Sequence, residues 1–271
     1  MNLNATTAHI VAWLKDYASS AGVKGYVVGV SGGIDSALTA TLVARTGLPV
    51  QILEMPIHQP SDHVSRGREF IAQLQSEHAN VASRVVDLTQ VFDAYTAALK
   101  LDATASTELS LANTRARLRM ATLYAEAQNL GMLVAGTGNK IEDFGVGFFT
   151  KYGDGGVDVS PIADLTKSDV RQLASCVGVP VSILEAPPTD GLWEDERSDE
   201  AQLGASYEEL EWAMDVLAAE GWISDQEPSD LLARVTDRER EVLNIYMRFH
   251  RANRHKMLPI PVCTIPDHLK V

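Results

Sequence analysis

Short apolar runs alternate with longer amphipathic stretches through the first half of the chain. The runs 26–30, 49–56, 83–88 and 132–136 have the length and the apolar content of buried strands. Apolar residues at helical spacing predict helices over 7–20, 37–44 and 109–130, and another that begins near Ser61. Strands that alternate with helices predict right-handed βαβ units. The expected fold class is therefore α/β, a doubly wound parallel sheet with helices on both faces.

The second half of the chain has a different pattern. Glycines recur from 136 to 156 among polar and aromatic residues, which is typical of a functional loop. A short helix is expected over 166–177, a surface loop over 186–197, and two or three closing helices, the last over 236–255. Neither an internal repeat nor a linker divides the sequence. We therefore expect a single domain over 1–271.

Composition and charge exclude several classes of protein. The chain has 23 basic and 36 acidic residues, a net charge of −13, which argues against a nucleic-acid-binding surface. No apolar run is long enough to span a bilayer, and the N-terminus lacks the pattern of a secretory signal. Cys176 and Cys263 lie far apart and outside any metal-binding spacing, so we expect reduced, buried thiols in a cytoplasmic protein.

The stretch Ser31-Gly32-Gly33-Ile34-Asp35-Ser36 lies between the first predicted strand and the helix that follows it. A glycine pair at this position exposes backbone N–H groups beside the positive end of a helix, which favours a bound phosphate. The Gly-Lys-Ser/Thr ending of the common P-loop is missing. Asp35 is placed to hold a magnesium ion carried by the phosphates. Simple helix capping is the alternative for both serines.

This loop resembles the pyrophosphate loop of the N-type ATP pyrophosphatases, which cleave ATP between its α- and β-phosphates. Further motifs in the same order are similar to those of NAD synthetases: 113–117, 136–142, 148–156, 165–167, 188–189, 198–200, 203–204 and 254–256. The resemblance extends from about 25 to 261. It implies a ligase that uses ATP and ammonia to amidate deamido-NAD through an adenylated carboxylate, with release of AMP and pyrophosphate. It also implies Mg²⁺ and a two-fold homodimer.

The resemblance implies roles for particular residues. The ATP site would consist of Gly29, Val30, Ser31, Gly32, Gly33, Ile34, Asp35, Ser36, Thr137, Lys167 and Thr189. The Mg²⁺ ligands would be Asp35 and Glu142, and the deamido-NAD contacts Arg117, Lys151, Asp158, His255 and Lys256. The catalytic groups would be Asp35, Lys167 and Asp154. A lysine in the first turn of a helix is electrostatically unfavourable alone, which favours a phosphate role for Lys167.

Several roles have alternatives. Asp154 would accept a proton from ammonium or position ammonia, but Asp-Gly is also typical of a turn. Glu142 could be a solvated loop charge. Either Phe148 or Phe149 could stack on the pyridine ring, and either could be plain core. Of the arginines at 115, 117 and 119, which cannot all share one helix face, only Arg117 is expected to contact the substrate.

One departure separates this chain from many family members, and a second feature bears on the nitrogen donor. Many family members have a basic residue just before the proline that ends the second strand. Here the sequence is Glu54-Met55-Pro56, so that contact is absent or is supplied by His58 or Gln59. The phosphate loop begins thirty residues into the chain, which leaves no room before it for a glutamine amidase domain, so free ammonia is the expected nitrogen donor unless a separate subunit supplies it.

Rival functions are another amidating or thiolating ATP pyrophosphatase, or a nucleotide-binding module that has lost turnover.

Overall fold

Helices and strands alternate along the chain as the apolar pattern predicts. The computed structural model describes residues 1–59, 61–102, 104–189 and 198–270. The first half contains α1 (Leu3–Ala21), β1 (Tyr26–Gly29), α2 (Ile34–Ala44), β2 (Val50–Glu54), α3 (Ser61–Glu77), β3 (Val81–Val85), α4 (Thr89–Leu99), α5 (Ala105–Leu130) and β4 (Leu133–Val134). The second half contains a π-helical turn (Ile141–Val146), α6 (Lys167–Val177), α7 (Val181–Leu184), α8 (Asp199–Leu203), α9 (Tyr207–Ala219), α10 (Ser229–Arg234), α11 (Asp237–Met257) and a short 3₁₀ turn (Asp267–Leu269).

The four strands form one parallel sheet in the order β3-β2-β1-β4. Tyr26 of β1 lies opposite Val50 of β2 and Leu133 of β4, which fixes the register at the centre of the sheet. Successive strand residues point to opposite faces, so each face has its own core. Val28 packs with α1, α2, α3 and α6, whereas Val27 packs with α4 and α5. The predicted doubly wound α/β fold is confirmed.

A third core joins the C-terminal helices to the end of the sheet. Ile141 and Val146 of the π-helical turn pack against Tyr207 and Leu210 of α9 and Tyr246 of α11. Capping boxes define the N-terminal ends of α6, α9 and α11. In each box a Ser or Thr side chain and an acidic side chain satisfy each other's backbone N–H groups: Thr166–Asp169, Ser206–Glu209 and Thr236–Glu239. The packing of the third core fixes the glycine-rich segment between β4 and α6 over the carboxyl edge of the sheet.

The structure corrects several details of the predicted elements. Helix α4 was not predicted, and β3 begins at Val81 rather than at 83. More helices than the expected two or three close the chain. Part of the predicted surface loop 186–197 lies outside the described residues. None of the described helices is both long and apolar enough to cross a membrane.

Both cysteines are exposed, so the prediction of buried thiols was wrong. Leu173, Ala174 and Val177 occupy the core-facing positions of α6, which leaves Cys176 on its outer side. Its Sγ lies 3.6 Å from Asn4 Oδ1. Cys263 lies in the extended segment that follows α11. Neither thiol is part of the core, and each is a free thiol.

Candidate active site

A cleft opens at the carboxyl ends of β1, β2 and β4, where ligands bind in parallel sheets. The loop after β1 forms its floor. Met55 after β2, Thr137 after β4 and Lys167 at the start of α6 form its walls. Every residue of the expected ATP site lines this one cleft: Gly29, Val30, Ser31, Gly32, Gly33, Ile34, Asp35, Ser36, Thr137, Lys167 and Thr189.

The loop between β1 and α2 has the geometry of an anion cradle. Gly32 has a φ of 87°, a left-handed conformation that favours glycine. The N-cap position of α2 is Gly33, which has no side chain to bond the first-turn N–H groups. Ser36 Oγ donates to Gly33 O at 2.9 Å, and Gly33 N donates to Ser31 Oγ at 3.3 Å. Both serines therefore stabilise the loop, and the helix N-terminus remains available to a phosphate.

A buried charge cluster stands beside this cradle. Lys167 Nζ lies 2.6 Å from Asp35 Oδ2 and 3.2 Å from Glu142 Oε1, and the lysine side chain is only 3% exposed. Burial alone lowers the pKa of Lys167, but the two carboxylates outweigh it and hold that pKa above its usual range. Burial raises the pKa of Glu142, and the lysine opposes the rise. The three sequence-predicted residues thus form a single electrostatic unit.

Two residues that sequence reasoning missed hold this unit in place. Asn139 is fully buried; its Nδ2 donates to Asp35 Oδ1 at 3.2 Å, and its Oδ1 accepts from the backbone of Glu142 at 3.1 Å. Tyr207 Oη donates to Glu142 Oε1 at 2.6 Å, and the tyrosine ring lies 4.6 Å from Lys167 Nζ. Asn139 belongs to the 136–142 motif, which was a usable signal. Tyr207 had none, because an aromatic residue in the first turn of a helix is typical of a core position.

The donor set fits a magnesium ion. Asp35 and Glu142 direct carboxylate oxygens at the same small volume, because both bond to one ammonium group. Mg²⁺ in phosphate sites is typically held by one or two carboxylates, with phosphate oxygens and water as the other ligands. Among the described residues no three His, Cys, Asp or Glu side chains form a metal-binding group. The protein would thus supply two ligands and depend on phosphate for the others.

Asp154 also lines the cleft, as do Gly153 and Phe148. Thr150 N donates to its Oδ1 at 2.9 Å, so the carboxylate both holds the turn and faces the cleft. Burial raises the pKa of Asp154 to about 6, against the effect of the Thr150 hydrogen bond. The group is therefore close to the range in which a carboxylate can accept a proton near neutral pH.

The residues expected to contact deamido-NAD lie outside the cleft lining, and four of them lie together. Lys151 Nζ donates to His255 O at 2.7 Å, and Arg117 Nε lies 3.4 Å from Lys151 O. Lys256 Nζ donates to Phe149 O at 2.7 Å, and burial lowers the pKa of this lysine. We call this set, Arg117, Lys151, His255 and Lys256, the basic group. It joins α5 and the 147–151 loop to the end of α11.

Asp158 lies apart from the basic group. Its Oδ2 accepts from Val134 N at 2.8 Å, and its Oδ1 accepts from Tyr124 Oη at 3.1 Å. These bonds tie β4 to α5. On α5 the arginine that reaches the cleft is Arg119, whose Nε donates to Met55 O at 3.0 Å, whereas the expected Arg117 is exposed.

The two phenylalanines are distinguished by their positions. Phe148 lines the cleft and also packs against the core of the C-terminal helices. Phe149 lies beneath the basic group, with Lys256 Nζ 5.3 Å from its ring centre. Phe148 is therefore the one placed to meet a ring bound in the cleft.

Comparison with known proteins agrees with this geometry. The family model described as NAD synthase matches residues 6–259. The chain belongs to the NAD synthase family. It is 41% identical over 222 residues to the NH(3)-dependent NAD(+) synthetase of Alkaliphilus metalliredigens, covering 78% of this chain and 86% of that protein. The NH(3)-dependent NAD(+) synthetase of Methanosarcina mazei is 35% identical over 97% of this chain and 98% of its own length.

The fold is shared with solved structures of NAD synthase type. The NMN synthetase of Francisella tularensis superposes with a TM-score of 0.80 at 29% identity, covering 98% of this chain and 99% of that one. The name of that relative gives a mononucleotide, NMN, as its product, whereas NAD is a dinucleotide. The family therefore establishes a ligase that uses ATP.

Proposed function

We propose that this protein amidates deamido-NAD with ammonia, using ATP, and produces NAD, AMP and pyrophosphate. The observation that carries the proposal is the joining of the glycine cradle to the Asp35–Lys167–Glu142 cluster in one cleft of an NAD synthase family chain. Two relatives that match over most of their length have the same activity in their names.

The chemistry explains why such a cleft is needed. A carboxylate is a poor acyl donor because its negative charge shields the carbonyl carbon. Attack of a nicotinate carboxylate oxygen on the α-phosphorus of ATP forms a mixed anhydride and expels pyrophosphate. Ammonia then attacks the carbonyl carbon, and AMP leaves with that oxygen. The protein must hold polyphosphate charge, align two nucleotides and exclude water from the anhydride.

Each part of the cleft has a proposed role in the first step. Backbone N–H groups of the loop from Gly29 to Ser36 hold the departing pyrophosphate, and Thr137 and Thr189 contact ATP. Asp35 and Glu142 hold Mg²⁺, which neutralises phosphate charge when it is bound. Lys167 orients both carboxylates and adds a positive charge beside the cradle.

In the second step Asp154 accepts a proton from the attacking nitrogen. Its position in the cleft lining supports this role, as does its pKa, which burial raises to about 6. The pyridine ring would stack on Phe148. The basic group would bind the part of the dinucleotide that extends past the cleft, since its cations lie outside the cleft lining. Asp158 is proposed as a further substrate contact on resemblance alone.

The acid substrate is tested by parallel assays with deamido-NAD and nicotinic acid mononucleotide. We expect a higher kcat/KM for the dinucleotide, because the mononucleotide has no part to reach the basic group. Lys151→Ala should raise the KM for deamido-NAD and leave the KM for the mononucleotide unchanged. Equal or better use of the mononucleotide by the wild type would instead assign the activity named for the Francisella relative.

The nitrogen donor and the products are tested in the same assay. With ATP, Mg²⁺ and deamido-NAD, ammonium should give equal amounts of NAD, AMP and pyrophosphate, and glutamine should give none. The formation of ADP, or the absence of NAD, would contradict the proposal. Asp35→Asn should abolish AMP formation while thermal unfolding shows a folded protein.

We also propose a two-fold homodimer located in the cytoplasm. Exposed apolar side chains recur on one stripe of α4, at Val91, Tyr95 and Leu99, which supports burial against a second copy. A net charge of −13 supports the absence of nucleic-acid partners. Sedimentation equilibrium of the wild type and of Tyr95→Lys tests the dimer: the wild type should sediment as a dimer and the variant as a monomer.

A further inference from the structure

Arg66 lies in the cleft with a buried donor that has no acceptor. Helix α3 packs its backbone against the cradle at Gly67, where an added Cβ would lie 3.6 Å from Gly32 N. The preceding residue, Arg66, lines the cleft with Ser31 and Gly32. Its Nε is buried and makes no hydrogen bond with any residue of the described ranges. A buried donor of this kind is normally satisfied, so the missing acceptor points to a bound anion.

Other cations of the cleft have protein partners. Lys167 is bonded to Asp35 and Glu142, and Arg171 is paired with Glu208. Arg119 donates to the backbone of Met55. These groups are held by acceptors of the protein itself, whereas Arg66 Nε has no acceptor among the described residues. Because the guanidinium of Arg66 has several donors in one plane, it matches two phosphate oxygens at once.

The environment of β2 explains why α3 supplies this charge. The family resemblance places a basic residue just before the proline after β2, and this chain has Glu54 and Met55 there. Glu54 Oε2 is paired with Arg68 Nε at 3.2 Å. His58, one of the two expected substitutes, is instead bonded to Asp93 at 2.7 Å. Gln59 lines the cleft but carries no charge.

We propose that Arg66 binds the polyphosphate of ATP and retains contact with the pyrophosphate after it is expelled. The proposal rests on the proposed function in one respect, that the cleft is an ATP site. Arg66 adds a binding contact to the cradle from a helix on which no cleft residue was expected. It is the chain's own replacement for the basic residue missing before Pro56.

Binding isotherms of ATP, pyrophosphate, AMP and deamido-NAD to the wild type, Arg66→Gln and Arg66→Lys test the proposal. Arg68→Gln is the matched control, because Arg68 lies on the same helix and pairs with Glu54 at the surface. A lost charge-assisted contact weakens binding by about tenfold or more. Arg66→Gln should therefore lose about that factor for ATP and for pyrophosphate. Its affinities for AMP and deamido-NAD should stay within about twofold of wild type.

The conservative variant separates charge from structure. Arg66→Lys should recover part of the ATP affinity, and both Arg66 variants should unfold at the temperature of Arg68→Gln. Unchanged ATP affinity in Arg66→Gln overturns the proposal. So does an equal loss of AMP affinity, which would place the side chain at the nucleoside end. A wild type that binds ATP and pyrophosphate but forms no NAD would contradict the proposed function and leave the role of Arg66 standing.

Discussion

Replacing Lys167 with methionine should strongly destabilise the free protein. The ammonium lies 2.6 Å from Asp35 and 3.2 Å from Glu142. At an effective dielectric constant of about 20, these separations correspond to attractions of about 6 and about 5 kcal/mol. The desolvation of the three buried groups offsets most of these two attractions. Removal of one charged partner from such a buried cluster typically lowers the free energy of unfolding by about 3–5 kcal/mol, because the remaining charges are left uncompensated. For a chain of this size, each kcal/mol lowers Tm by about 2 °C, so the expected decrease is about 6–10 °C.

Thermal unfolding with and without Mg²⁺ measures this effect apart from catalysis. Lys167→Met frees two carboxylates that now repel each other, so Mg²⁺ should raise its Tm more than it raises that of the wild type. Combining Lys167→Met with Asp35→Asn and Glu142→Gln removes the uncompensated charges and should restore most of the lost stability. Arg171→Met, which removes a half-exposed cation of the same helix paired with Glu208, is the control. A Lys167→Met variant within about 1 kcal/mol of the wild type would show that the buried cluster contributes no more than a surface ion pair.

Three further substitutions test other contacts of the structure. Tyr207→Phe removes the hydroxyl that bonds Glu142 but keeps the ring, and urea unfolding should show a loss of about 1–3 kcal/mol. Burial raises the pKa of Asp154 in the folded state to about 6, above the ordinary 3.8, so the folded state holds more protons than the unfolded state between these pH values. The contribution of Asp154 to stability should therefore rise as pH falls from about 6 to about 4, and Asp154→Asn should remove that slope from a Tm–pH series. Gly25→Ala should unfold at a much lower temperature or fail to fold, since its Cβ would lie 1.9 Å from Pro49 O.

The fold was predictable because its signals are local. Apolar runs at 26–30 and 49–56, with amphipathic segments between them, specify parallel strands with helical crossovers, and the observed sheet has those strands at its centre. The errors arose where burial is decided by distant packing. The exposure of Cys176 depends on which side of α6 faces α1 and α2, and no local pattern around one cysteine shows that.

The charged and glycine residues of the candidate site were predictable from the sequence. The residues that hold them in place were not. Asp35, Glu142 and Lys167 stand out by residue type and motif, and the fold brings them within one hydrogen-bonded cluster. Tyr207 supports that cluster from α9, 65 residues beyond Glu142, through a contact that only the tertiary packing creates. Arg66 was missed for a similar reason, because its helix was expected only to carry core residues.

Transfer of AMP from ATP to a carboxylate can be followed with an isotope label. Deamido-NAD labelled with ¹⁸O at both nicotinate carboxylate oxygens is converted with ATP, Mg²⁺ and ammonium, and the products are weighed by mass spectrometry. We expect one heavy oxygen in AMP, one in the amide of NAD and none in pyrophosphate. Unlabelled AMP beside labelled pyrophosphate, or ADP beside labelled inorganic phosphate, would contradict AMP transfer, because the carboxylate would then have attacked the β- or the γ-phosphorus.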